Sequence, residues 1–372
     1  MNTDSTILGF ADKIGMELCS LYRSFGYVQY KMSKFEEYDL YARNKDFLVS
    51  DTVLTFTDLS GKLMALKPDV TLSIVRNTRD DVSDIRKVYY TENVYRADKG
   101  SNSFKEILQA GLECIGEIDD YQISETLILA AKSLERISER SSLVISHLDI
   151  LSGLTDKLGV PADCRSKIMR CISEKNLHEL NALCEAYGAD RTAAETLHRA
   201  MEINGGADAV LPQLEALGCA PAAVQQLKNC VSALQAAGLG GQIRIDLSVV
   251  SDMTYYNGIV FKGYVDGVPI RVLSGGQYDR LMRKMGRRSG AIGFAVYLDA
   301  LERLHIETQT FDVDLVLLYD DAAALRTLCC AVNDLTAAGY SVSTRKCIPE
   351  KLRYRRLAAL KGSEVVFLED NA

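Results

Sequence analysis

Two strand-like stretches, Arg86 to Arg96 and about Phe104 to Gly116, flank the polar loop Ala97 to Ser103. Strands this close in sequence pair as an antiparallel hairpin, because a parallel crossover needs a dozen or more residues. The chain must therefore build an antiparallel sheet around this pair. On the second strand, alternation sets Gln109, Gly111 and Glu113 on one face and Ala110, Leu112 and Cys114 on the other. The spacing of Gln109 and Glu113 also suits one helical face. Gly111 between them and the strand-like surroundings favour the sheet.

Around the hairpin the patterning changes by segment. Ile7 to Phe25 carries an apolar stripe at helical spacing, from Ile7 and Phe10 to Leu21 and Phe25. Tyr27 to Tyr30 and Leu54 to Thr57 read as strands, Asp58 to Lys62 as a turn and Leu63 to Leu66 as the returning strand. A helix starting near Pro68 and ending about Asn77 follows from the preference of proline for a first helical turn. Asp120 to Ser138 reads as a helix and Leu143 to Leu148 as a strand. Pro161 to Ala237 is patterned as helix almost throughout, broken at Gly188, Gly205-Gly206 and Gly218. Strands return at Gln242 to Val250, Gly258 to Val265 and Val268 to Leu273. Asp312 to Asp370 alternates strand, helix, strand, helix, strand. The expected class is α+β: an antiparallel sheet core with flanking helices in residues 1–150 and 239–308, a helical insertion in 151–238, and a small α/β unit in 309–372.

Composition narrows the function classes. No apolar run approaches the roughly 18 residues of a membrane span, and the start lacks the basic residues of a signal peptide. The ten cysteines contain no C-x-x-C pair, which points to reduced thiols and a cytoplasmic protein. With four histidines, none beside a cysteine pair, no metal site is expected. A net charge of −7 is a poor start for binding a phosphate backbone, so no nucleic-acid partner is expected. The run Arg345 to Arg356 holds six basic residues and is read as a solvated helix face.

The segment Tyr95-Arg-Ala-Asp-Lys-Gly-Ser-Asn-Ser-Phe-Lys-Glu-Ile-Leu-Gln-Ala-Gly-Leu-Glu113 resembles motif 2 of histidyl-tRNA synthetase. Phe25-Gly-Tyr through Phe35-Glu36 resembles motif 1 of the class II synthetases, although Ser33 replaces its proline. Leu66-Lys-Pro-Asp-Val-Thr71 is similar to that family's Leu-Arg-Pro-Glu-Gly-Thr, and Tyr255-Tyr256-Asn257 to part of its histidine-specific motif. Gly275-Gly276-Gln-Tyr-Asp279 and Ala291-Ile-Gly-Phe-Ala295 resemble the stretch leading into motif 3. The order of these matches implies the class II synthetase-like fold. It also implies a histidine pocket. Asp69, Thr71 and Gln109 would surround the α-ammonium, with Glu113 and Tyr256 at the imidazole, Arg96 toward a carboxylate or phosphate, and Tyr255 as a wall.

The ATP side departs from the family. Its arginine in the histidine-specific motif falls on Ser251, and the motif 3 arginine that stacks on adenine falls on Ala300, with Tyr297 replacing a small residue. Losing one preorganised charge commonly costs about 100- to 1,000-fold in rate. Arg303, one turn further on, faces about 60° away and is discounted as a substitute. A histidine pocket without ATP arginines, and a tail resembling only the beginning of the anticodon-binding domain, resembles the regulatory subunits of short-form ATP phosphoribosyltransferase. That resemblance implies no catalysis and no cofactor. It also implies a homodimer through the core, a hetero-octamer with a short catalytic subunit, activation of that subunit, and feedback inhibition by histidine. It leaves histidine in this pocket or at an interface with the partner. An active histidyl-tRNA synthetase and another synthetase-like amino-acid-sensing paralogue stay open as alternatives.

Overall fold

In the computed structural model, which describes residues 9–45, 48, 52–98, 103–250, 255–304, 311–348 and 350–371, the hairpin is the widest pairing in the molecule. Arg86–Asp98 runs antiparallel to Ser103–Gly116, from Arg86 opposite Ile115 to Asp98 opposite Ser103. It lies within a nine-stranded sheet ordered Val28–Gln29, Arg86–Asp98, Ser103–Gly116, Gly290–Tyr297, Leu273–Gln277, Asn257–Val265, Ser141–His147, Ile243–Asp246 and Asn204–Gly206. The pairings are antiparallel except at Val28–Gln29 with Arg86–Asp98 and Ser141–His147 with Ile243–Asp246.

Strand parity divides the core in two. Ala110, Leu112 and Cys114 face the larger cluster, beneath Phe10–Ser24 and Asp120–Ile137, with Leu18, Tyr22, Leu127 and Leu134 among its members. Val88, Tyr90, Val94 and Ile115 face a smaller cluster with Leu72, Ile74, Tyr255 and Tyr278. Glu113 and Gln109 share the parity of Ile115 and open onto this second side. The Asp120–Ile137 helix is fixed at its start by a capping box. The Asp119 carboxylate accepts from the backbone of Tyr121 (2.7 Å) and Gln122 (3.3 Å), and the Gln122 side chain accepts from Asp119 N–H.

Three expectations need correction. The helix after Pro68 begins at Thr71 and runs to Asn77. Residues 67 to 70 are instead tied to the hairpin: Tyr95 N–H donates to Lys67 O at 2.9 Å, and Arg96 Nε to Pro68 O at 3.0 Å. The strand expected at Val268 to Leu273 lies at Leu273–Gln277. Its two glycines, which suggest a turn, are there because side chains do not fit: a Cβ on Gly275 would stand 2.4 Å from Gly293 O. The segment from Pro161 to Ala237 is not purely helical. Five helices, Ala162–Ser173 through Pro221–Ala236, are joined by the edge strand Asn204–Gly206, where the Gly205-Gly206 break pairs with Ile245 and Arg244.

The chain divides into two compact units, Met1–Leu304 and His305–Ala372, so the helical insertion packs as one body with the sheet. Cys164, Leu197, Leu227 and Leu234 of the insertion share one core with Leu127 and Leu143. Polar bonds fasten the joint. Asp120 accepts from Gln226 Nε2 (3.0 Å) and Asn229 Nδ2 (2.8 Å), and Gln226 Oε1 lies 3.0 Å from His147 Nε2. Because His147 Nδ1 accepts from Asp149 N–H, Nε2 carries the proton, and burial pushes the imidazole pKa down.

The second unit corrects the expected order of the tail. It is strand, helix and three strands: Val313–Leu318, Leu325–Ala337, Val342–Arg345, Tyr354–Lys361 and Glu364–Asp370. Tyr354–Lys361 pairs parallel with Val313–Leu318 and antiparallel with Glu364–Asp370. In its Leu357-Ala-Ala-Leu360 run Leu357, Ala358 and Leu360 are buried and Ala359 partly so, and such an apolar run has no periodicity that separates strand from helix. The basic run is therefore no helix face. Arg353 pairs with Asp312 (2.7 Å), Arg356 with Asp370 (2.8 Å) and Lys346 with Asp321, which neutralises half of it within the unit.

Candidate functional site: a buried carboxyl in an aromatic cavity

Asp69, Thr71, Arg96, Gln109, Glu113, Tyr255 and Tyr256, drawn from four separate stretches of sequence, line one cavity of about 150 Å³. Tyr90, Tyr278 and Tyr297, which were not assigned to it from sequence, line it too. Ser251 lies outside the described residues. Ala300 is buried in the larger core on the 3-10 segment Leu298–Arg303, and it offers no charge there.

Glu113 forms the floor. It is 2 % exposed, and both carboxyl oxygens already accept hydrogen bonds: Oε1 from Thr71 Oγ1 at 2.7 Å and Oε2 from Tyr278 OH at 2.6 Å. Burial pushes its pKa up from 4.5 to about 8, against the lowering effect of those two donors, and Asp69 adds to the rise. The carboxyl lies flat on the neighbouring strand because its cross-strand partner is glycine. A Cβ on Gly293 would come within 1.8 Å of Glu113 Oε2.

Asp69 sits half-buried at the turn into the Thr71–Asn77 helix, where Oδ1 accepts from Leu72 N–H at 2.9 Å. Burial raises its carboxyl pKa, opposed by that bond and by the Arg96 guanidinium. The Gln109 side chain is 3 % exposed and has no hydrogen-bond partner among the described residues. That amide lines the cavity, where it can both donate to and accept from a ligand. The Tyr255 ring lies 4.4 Å from Tyr256 and 5.8 Å from Tyr278, centroid to centroid, making an aromatic wall. Asn257 holds this wall in place, donating to Asp279 Oδ2 (2.9 Å) while Asp279 Oδ1 accepts from Ala291 N–H (2.9 Å).

Two carboxyls, an amide, a guanidinium and phenol rings in so small a space suit one polar ligand with a cationic end and a flat ring. Among the described residues no cluster of His, Cys, Asp and Glu could hold a metal, and no helix is long and apolar enough to cross a membrane.

Comparison with known proteins identifies the family and the fold. The family model for histidyl-tRNA synthetase matches residues 10–301. An ATP phosphoribosyltransferase regulatory subunit from Clostridium kluyveri is 30% identical over 297 residues, covering 76% of this chain and 75% of its own. The fold is shared with an ATP phosphoribosyltransferase regulatory subunit/histidyl-tRNA synthetase from Bacillus halodurans, at a TM-score of 0.76, 22% identity and 95% coverage of both chains. It is also shared with a chain of an ATP phosphoribosyl transferase complex from Thermotoga maritima, at a TM-score of 0.62 and 19% identity over 78% of this chain and 97% of that one.

Proposed function

The chain belongs to the histidyl-tRNA synthetase family and, within it, to the ATP phosphoribosyltransferase regulatory subunits, and we propose that it binds free histidine in the Glu113 cavity and regulates a catalytic partner without catalysing a reaction itself. The observation that carries this reading is the Glu113 floor, a buried carboxyl held by Thr71 and Tyr278 with Gln109 unpartnered across the same cavity. An imidazole N–H would donate to Glu113, and Tyr256 would meet the other ring nitrogen. The α-ammonium would sit among Asp69, Thr71 and Gln109, and Arg96 would face the carboxylate. Ala300, which is buried, and Ser251 are both uncharged residue types, so neither supplies a cation at the arginine positions that adenylate formation uses in the synthetases.

The partner in this reading is a short catalytic subunit, joined in a hetero-octamer whose core is a homodimer of this chain, in the cytoplasm. The Thermotoga maritima complex, named for the same enzyme, supports that partner. This subunit activates the catalytic chain and transmits histidine inhibition to it. With no phosphoribosyl pyrophosphate loop recognisable in its sequence, its histidine acts by preferring one conformation of the complex.

Calorimetry on the isolated chain tests the binding half: histidine binds, and Glu113→Ala weakens it by about 10- to 150-fold, the worth of a hydrogen bond to a charged group. Histidine-dependent pyrophosphate exchange above background would overturn the non-catalytic half.

A further inference from the structure

Glu113 shares the cavity with Tyr297. Tyr297 ends the Gly290–Tyr297 strand and pairs across to Gln109, four residues along from the pairing of Glu113 with Gly293. Its ring, half-buried, lines the cavity. The exposed Arg271 lies over that ring, guanidinium carbon 5.9 Å from the centroid. The stacking is set by the backbone, since Tyr297 N–H donates to the carbonyl of Val272, next to Arg271, at 2.8 Å. A ligand whose ring sits on Glu113 therefore points its α-carbon substituents toward Gln109 and Tyr297.

We propose that Tyr297, held by Arg271, sets the length of ligand the cavity accepts, admitting a free α-amino acid and excluding any derivative extended from its carboxyl carbon. Tyr297 is the specificity-determining wall and Arg271 the residue that positions it. This rests on the histidine reading above and deepens it: the site senses free histidine and rejects derivatives that carry a bulky group beyond the carboxyl carbon, such as aryl amides and adenylates of histidine.

Affinities of L-histidinamide and L-histidine β-naphthylamide, measured by calorimetry, test it. Both lack the carboxylate, so their ratio reports bulk alone. The wild-type chain should bind the naphthylamide at least about tenfold more weakly than histidinamide, the scale of an overpacked cavity. Tyr297→Ala should bring the two within about threefold. Tyr297→Val, which keeps a strand-forming residue, should do so in part, and Tyr297→Phe, which keeps the ring under Arg271, should restore the exclusion. Arg271→Ala should narrow the ratio in the same direction as Tyr297→Val, by freeing the ring. Equal binding of both amides by the wild-type chain, or exclusion persisting in both small variants, would overturn the inference alone. Failure of histidine and histidinamide to bind at all would overturn the histidine reading and this inference with it.

Discussion

At the scale of single residues, Glu113 has consequences that pH will expose. Its folded pKa of about 8 lies above the ordinary 4.5, so the native state holds a proton the unfolded chain has lost across that window. Stability then falls as pH rises from about 4.5 to about 8. Glu113→Gln should flatten that part of a urea-stability profile. Ligand binding adds its own signature. A free imidazole loses its proton near pH 6.5, roughly, and the bound ring and Glu113 share one proton. Binding should release a proton below that pH, with Asp69 adding to the release. It should exchange none from there to about 8, and take one up above it. Histidine affinity therefore rises, levels and falls with pH, and calorimetry in buffers of different ionisation enthalpy measures each limb. Affinity that rises steadily through pH 8 would contradict the assignment of Glu113 to the imidazole.

Among the elements, the strand Gly290–Tyr297 carries the tightest constraint. Gly293→Ala puts a methyl against Glu113 and Leu112 O, and should cost about 1–3 kcal/mol in urea unfolding while lowering histidine affinity. Away from the site, Asp119→Ala should cost about 1 kcal/mol through the lost cap and leave histidine affinity unchanged. The same elements explain what sequence could reveal. Gln109 and Glu113 were legible because parity within one strand puts them on one face, and the resemblance named the rest of the seven. Tyr90 and Tyr297 were not, because they reach the cavity through cross-strand register, Tyr90 opposite Gly111 and Tyr297 opposite Gln109. Tyr278 stood inside a recognised stretch, yet its bond to Glu113 spans 165 residues and no local pattern encodes it. The misplaced strands share one cause. Gly205-Gly206 and Gly275-Gly276 look like breaks to local propensity, whereas both pairs are strand residues in the sheet, the first on an edge strand with Gly205 at φ +144° and the second where neighbouring backbone leaves no room for a Cβ.

For the whole molecule, the surface offers a route to assembly. Phe35 is 47 % exposed, in edge-on contact with the exposed Phe56 at 5.5 Å, on a small antiparallel sheet ordered Phe35–Glu37, Leu63–Leu66 and Thr55–Thr57. Phe35 belongs to the segment resembling motif 1 and Phe56 packs on it, an exposed apolar pair that supports a two-fold interface there. The isolated chain should have a dimer's mass in light scattering at micromolar concentration, and Phe35→Asp should shift it toward monomer; a monomeric wild type would contradict the dimer. In the proposed complex, linkage requires histidine and the partner's substrates to weaken each other's binding by the same factor. The most direct measurement is histidine inhibition of phosphoribosyl transfer by the short catalytic subunit reconstituted with this chain or with its Glu113→Ala variant. Activation by both chains, with inhibition by histidine retained only by the wild type, is the expected result; equal inhibition of the two would place the effector site elsewhere.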